Sequence, residues 1–570
     1  MKTKLSLAIT LALFSAGMLS GCSDDKEPTA STAQQEAQKD IAAPMLKYIP
    51  SDSPYFMASR ETLPEEDAFA LYQRMQPPGS LETDLEDLRE ILHEIDDEVL
   101  YSLMEVFIAM GEEMVGVETL EDFHALGLKM GPQIAFYGLG ILPVLRMELQ
   151  DEDAFREMLL RILAKSDTTL VSASTDGTDY WVLTPEGPVM AIMAIIDQQL
   201  VMSVVPQGAN DALLSHVLGK TLPDSNIADT GELLEIEKRH GFTPYGAGQI
   251  YSSRLLNELS TPTHAGTHAL MEAVDAELLD LSACQADIDR ITNRFPGLVI
   301  GAREYNLNRM EMNIILATDK DIVSDLRAVT AYVPGLGSTD GMASFGLGLN
   351  LPVLVQTAQK YAQEVRDNPF SCDELQDLNS SWNEINMAIN NPVTMMIGPT
   401  LSGFRARIDS LTMTDGEPDG TGILTLASQN PLALLSAASS FVPDLVSLGL
   451  EPGGDVKKVE SMMLPPDAPE MYAAMSDNAI VLGVGISDSS LLKDQLQAPS
   501  TERDLLLHGH VNGEFYKSLA DFMEQMGPDD DMTEFDIDLL KQYGEIYKNM
   551  EYWFRVDDEG VEMSFSMELN

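Results

Sequence analysis

Pro188-Val-Met-Ala-Ile-Met-Ala-Ile-Ile-Asp-Gln-Gln-Leu-Val-Met-Ser-Val-Val-Pro206 decides the fold. Two apolar runs meet at Asp197-Gln198-Gln199. That interruption rules out a membrane span, which needs about 18 consecutive apolar residues. Short runs rich in Val, Ile and Met, bounded by proline and joined by a polar turn, read as two strands. A small-residue turn follows, and Asn210 to Leu218 reads as a helix. The same grammar returns from Pro469 to Leu492: proline, apolar strand, a turn containing Asp477, the strand Ile480-Val-Leu-Gly-Val-Gly, and a Leu-Leu helix.

Further pairs lie outward from this one. Gln249-Ile-Tyr leads into the helical Leu255 to Leu259, as His508-Gly-His-Val leads into Phe515 to Met523. Met310-Glu-Met-Asn-Ile-Ile-Leu closes the first half, as Val561-Glu-Met-Ser-Phe-Ser-Met closes the second. Three pairs in one order point to an internal duplication. The Gly/Pro-rich Tyr332-Val-Pro-Gly-Leu-Gly-Ser-Thr-Asp-Gly suits a seam, giving halves at 45–330 and 331–570. Residues 82–115 place Leu85, Leu88, Ile91, Leu92, Ile95, Leu100, Leu103 and Met104 at helical spacing, and Asp153 to Leu163 reads as a helix. Hairpins mixed with helices, without regular βαβ alternation, predict an α+β fold of mainly antiparallel sheet with packed helices.

The amino terminus carries an address. Lys2 and Lys4 precede the uncharged apolar run Leu5 to Met18, and small residues lead to Leu19-Ser20-Gly21-Cys22. This is the layout of a secretory signal over 1–21. Its end resembles the bacterial lipobox. The resemblance implies cleavage before Cys22 and fatty acylation of that cysteine with palmitate-type chains. Residues 22–44, polar and poor in large apolar side chains, read as a disordered tether. Ser23 after the cysteine favours the outer membrane, facing the periplasm, and the expected partner is the membrane itself, through the anchor.

The chain holds 91 acidic against 35 basic residues, and loss of Lys2 and Lys4 takes the net charge from −56 to −58. Nucleic acid, which demands clustered Lys and Arg, is thereby excluded as a partner. An acidic surface suits solubility in a salty medium; recognition of cations or basic partners is the other reading. In an oxidising compartment Cys284 and Cys372 can pair into a disulfide joining the halves. Ser282-Ala-Cys-Gln and Ser371-Cys-Asp-Glu both carry the capping-box pattern of a helix start.

Catalytic motifs are missing. There is no P-loop, nucleophile elbow, HExxH pair or dinucleotide-binding glycine run. His93-Glu94 lacks its second histidine, and Gly346-Leu-Gly348 reads as a strand of small residues. His508-Gly-His510 sets two imidazoles on one strand face, yet no third metal ligand is identifiable. Asp529-Asp-Asp531 with Glu534 lacks the pattern of a calcium loop. His264 and His268 mark an exposed loop or helix start. Trp181 and Trp553 fall in strands, where core packing is the default. No catalytic residue, metal or cofactor is expected.

Ala125-Leu-Gly-Leu, the run Phe136-Tyr-Gly-Leu-Gly-Ile-Leu-Pro-Val-Leu-Arg-Met-Glu-Leu149, the Tyr180-Trp181 strand and the two spaced cysteines resemble a family of proteobacterial envelope lipoproteins. The resemblance implies the envelope address and brings no activity or site residues with it. The expected function is a binding or structural module. The alternatives are a periplasmic hydrolase with a carboxylate site and a carrier of an apolar ligand, the latter demanding a large dry cavity.

Overall fold

The computed structural model describes residues 43–570 except 77–79, 93–97, 166–169, 184–186, 275–280, 282–283, 381–386, 388–399, 415–416, 440–447, 460–468, 501–503 and 527–533. Cys22, the signal, the tether up to residue 42, His93-Glu94, Trp382 and Asp529 to Asp531 lie outside the described residues. The fold is α+β, with a large antiparallel sheet and numerous helices. Among the described residues no helix is long and apolar enough to cross a membrane.

Contacts group the chain into two compact units, Met1–Met312 and Asn313–Asn570. The division therefore falls ahead of the expected 330/331 seam, and Tyr332 to Gly341 belongs to the second unit. The physical reason is burial. Val333 and Leu336 are almost wholly buried, and the Gly/Pro run is a packed cover rather than a linker.

In the first unit the strands are β1 (Tyr55–Ala58), β2 (Ile134–Leu139), β3 (Leu142–Glu148), β4 (Val171–Thr175), β5 (Thr178–Val182), β6 (Val189–Ile196), β7 (Gln199–Pro206), β8 (Ala247–Tyr251) and β9 (Gly297–Asn306), with β10 (Arg309–Ala317) at the division. The quoted hairpin is β6–β7. Its turn residues Asp197 and Gln198 both have positive φ, 52° and 58°. That is the primed turn whose twist matches paired strands. Hydrogen-bonded neighbours run β4-β5-β6-β7-β3-β2-β1-β8-β9, all antiparallel. The helix Glu152–Lys165 buries Phe155, Met158, Leu159 and Ile162 against Met193, Ile195 and Leu200 of the hairpin.

The second unit contains β11 (Ala343–Gly348), β12 (Leu401–Thr414), β13 (Glu417–Ser428), β14 (Lys457–Lys458), β15 (Met471–Met475), β16 (Ala479–Val484), β17 (Leu505–Asn512), β18 (Tyr547–Val556) and β19 (Gly560–Leu569). Its neighbours run β14-β15-β16-β13-β12-β11-β17-β18-β19, again antiparallel. Setting β11 on β1 reproduces the first unit's order strand for strand from β5 to β9. The paired hairpins β6–β7 and β15–β16 take equivalent places. Each unit also places helices at the same points of the chain, after the first strand, after the next hairpin and after the following hairpin.

Cys284 and Cys372, 2% and 3% exposed, form a disulfide. The expected serine caps do not describe these helix starts. The cysteine itself occupies the N-cap position at Gln285–Arg294 and at Asp373–Leu375, and its side chain makes no capping bond. In the chain-entropy account, closing a loop of about 88 residues stabilises the fold by roughly 4–5 kcal/mol. A double Cys284→Ser/Cys372→Ser variant is expected to lose most of that in urea unfolding. A non-reduced digest of the wild type should yield the two cysteine peptides joined; both recovered as free thiols would contradict the bond.

Candidate functional site

Antiparallel pairing puts directly opposed residues on one face of the sheet, so register assigns faces. In the first unit Ala58 faces Ala135 and Ala247, while Phe56 faces Tyr137 and Gln249. The next strands extend these two rows through Arg146 and Val144 on one side, and through Gly301 and Val299 on the other. In the second unit Gly346 faces Arg405 and His508, while Ser344 faces Arg407 and His510. These rows continue through Thr425 and Ile423, and through Trp553 and Glu551.

The strand-to-helix junctions Tyr251/Ser252 and Asn512/Gly513 align the two sets. Counting back from them, Phe56, Tyr137 and Val299 stand where Ser344, Arg407 and Glu551 stand. Ala135, Ala247 and Gly301 correspond to Arg405, His508 and Trp553, and Gln249 to His510. One face of one fold is thus mostly apolar or small in the first unit and mostly polar or ionisable in the second. It is nevertheless interior: Arg405, His508 and His510 are 2%, 4% and 1% exposed.

Among the described residues each unit buries an arginine on this face, and the two are served differently. Arg146 of β3 lies 3.8 Å over the Tyr48 ring and donates to Tyr137 Oη, Gln199 Oε1 and the Val217 carbonyl at 3.0–3.1 Å. Its donors are well matched by neutral acceptors. Arg405 of β12 donates through Nη2 to the carbonyls of Ser338 (3.0 Å) and Asp340 (3.5 Å), and its buried Nε has no acceptor. Burial, reinforced by the neighbouring Arg407, lowers its pKa to about 10.

Those two carbonyls come from a feature the first unit lacks. Tyr48-Ile-Pro before β1 and Tyr332-Val-Pro before β11 are a repeat that the pairing of the hairpins did not bring out. The second copy is followed by a longer, glycine-rich path to its strand, with Gly335, Gly337 and Gly341 at φ 76°, 85° and 87°. No side chain other than glycine adopts such angles readily, so this path is specified by sequence. Gln495, from the helix Ser490–Gln497, ties it down by donating to the Pro334 carbonyl at 2.9 Å and accepting from Arg407 at 3.4 Å.

Around this cover the charges are ordered. Arg407 pairs with Asp409 through Nε and Nη2 at 2.8 and 3.0 Å. His508 Nε2 lies 3.5 Å from Glu551, and His510 Nε2 lies 3.3 Å from Asn549 Oδ1. On β19, Glu562 accepts from Arg555 at 2.9 Å, and both Glu562 and Ser564 accept from Asn313. The alternation on that strand is inverted: Glu562, Ser564 and Ser566 are buried, while Met563, Phe565 and Met567 are half-buried.

Ser344, His510 and Glu551 stand side by side across three strands, the residue types of a hydrolytic triad. Their hydrogen bonds run elsewhere. Ser344 donates toward the Ser338 carbonyl, His510 meets Asn549, and Glu551 meets His508. The two imidazoles expected on one face of β17 are there, and no group of three or more metal-ligating side chains occurs among the described residues. His264 is the N-cap residue of the helix Ala265–Ala273, and Glu258 accepts from the backbone of Thr263 and His264 at that helix start. Two small cavities lie among the described residues, about 40 Å³ among leucines of the second unit and about 20 Å³ beside Phe136. Neither could enclose a lipid chain. Comparison with family models, curated proteins and solved structures finds no match to this chain.

His510 gives the site a pH signature. Burial holds its imidazole below the usual range, with His508 and Arg405 acting the same way and Asn549 and Glu551 opposing. The unfolded chain takes up this proton at about pH 6.5 while the folded one resists, so acidification favours unfolding. The unfolding midpoint should therefore fall as pH drops from about 6.5. A His510→Gln variant should show a shallower fall, and an unchanged slope would contradict this.

Proposed function

We propose that this chain is a lipid-anchored protein of the bacterial envelope, held by acylated Cys22 and working as a binding module through the polar face of its second unit. The observation that carries the reading is the replacement, at matching register, of Phe56, Tyr137, Ala135, Ala247 and Val299 by Ser344, Arg407, Arg405, His508 and Glu551. The first unit satisfies the same topology with mainly apolar residues at these positions. Burying ionisable groups costs several kcal/mol per ion before compensation. Places where a sequence departs from local packing rules tend to be functional ones. The envelope part is supported by the Cys284–Cys372 disulfide, since such bonds persist in oxidising compartments.

Two measurements test the reading. Membrane fractionation of wild type and Cys22→Ala should show the wild type in the outer membrane and the variant released; a variant that stays bound refutes the anchor. The double variant Arg407→Tyr/Glu551→Val restores the first unit's residues at two partly buried positions. Its unfolding midpoint should equal or exceed that of the wild type, because sites kept for binding trade against stability. A marked drop would make the row a structural device.

A further inference from the structure

We infer that the polar face of the second unit holds a small anion, such as a carboxylate or a halide, between Arg405, Trp553 and His510. This rests on the binding-module reading above and names the chemistry of its ligand.

Three side chains on this one face each leave a buried nitrogen without a partner: Nε of Arg405, Nε1 of Trp553 and Nδ1 of His510. Two of these are obligate donors. Unpaired buried donors are costly, so the Arg405 and Trp553 nitrogens call for an occupant on this face. Register sets all three on one face, within four consecutive strands. Arg405 and His508 flank Gly346, Trp553 is opposite His508, and His510 is the next inward-facing residue of β17. Among the described residues no carboxylate is hydrogen-bonded to Arg405, whose Nη2 donates to carbonyls. Arg146 is the comparison within the molecule. It is equally buried and has acceptors for Nε, Nη1 and Nη2.

The third nitrogen sets a condition. With Nε2–H donating to Asn549, the neutral His510 leaves Nδ1 as an acceptor, which repels an anion. A proton taken up at Nδ1 turns it into the third donor, so anion and proton bind together. The groups facing this imidazole are Arg405 and Arg407 of β12, His508 of β17, and Asn549 and Glu551 of β18. Only Asn549 and Glu551 among them favour its protonation. An incoming negative charge adds to their effect.

The test uses the purified full chain and records the unfolding midpoint against sodium chloride, sodium acetate and sodium phosphate. Ionic strength is held constant with sodium isethionate, which carries no carboxylate or halide, at pH 5.5 and 7.5, with acetamide as a neutral probe. At least one anion should raise the midpoint saturably, with an affinity several-fold higher at pH 5.5. Trp553→Phe should weaken that affinity several-fold, and His510→Gln should abolish its pH dependence. Both variants keep a side chain at the position, so the test leaves the buried Arg405 in place. Bromide soaked into crystals should give anomalous density beside Arg405. Three results would each overturn the inference: no saturable effect of any anion, responses that both variants leave intact, or a crystal holding only water at this place. Acetamide stabilising the wild type but not Trp553→Phe, with every anion inert, would overturn the anion and leave the face a binding site.

Discussion

The antiparallel ladders on either side of β11 are the constraint from which the second unit follows. Gly346 and Ser344 each have one partner on β12 and one on β17, so fixing these pairs fixes which side chains of six neighbouring strands turn inward. Arg405, Arg407, His508, His510 and Glu551 are interior because of this arithmetic and not by their own preference. The glycine at position 346 completes it. A β-carbon there would lie 2.7 Å from Leu336 Cδ1, the side chain by which the covering segment seats on the sheet.

The two units together supply a comparison that a single domain cannot. Their topology is common, so differences at matched positions isolate what the fold does not require. An arginine can be buried on this face at modest cost when tyrosine, glutamine and a carbonyl meet it, as around Arg146. Arg405 is met less fully, and its longer glycine-rich cover supplies carbonyls alone. Polar substitution and lengthened cover occur at one place, which is how a scaffold gains a site while retaining its core.

Much of the fold was legible because the hairpin Val189 to Pro206 states its own geometry, with apolar runs, a short polar turn and bounding prolines. The repeat was legible through that hairpin and the closing strands. Its fourth marker, Tyr-Ile/Val-Pro, went unread because Gly335 to Gly341 changes the spacing after it and suggests a linker. The site was harder. His508 and His510 stood out as a pair on one strand, but Arg405, Arg407 and Glu551 sit on other strands, and only register joins them. In a chain with 91 acidic residues, no carboxylate announces itself. The serine caps failed for a local reason, since each cysteine holds the N-cap place that the pattern gave to serine.

The inverted alternation of β19 bears on how the chain reaches this structure. A one-residue slip against β18 would turn Met563, Phe565 and Met567 inward and send Glu562, Ser564 and Ser566 out to water. Hydrophobic burial alone would reward that slip, so it cannot be what selects the native pairing. The selection falls to the Arg555–Glu562 ion pair and the Asn313 amide, which bonds both Glu562 and Ser564. Register at the carboxyl end is therefore proofread by charge and hydrogen bonding. The competing misfold is a well-packed sheet with the wrong face inside, rather than a disordered chain.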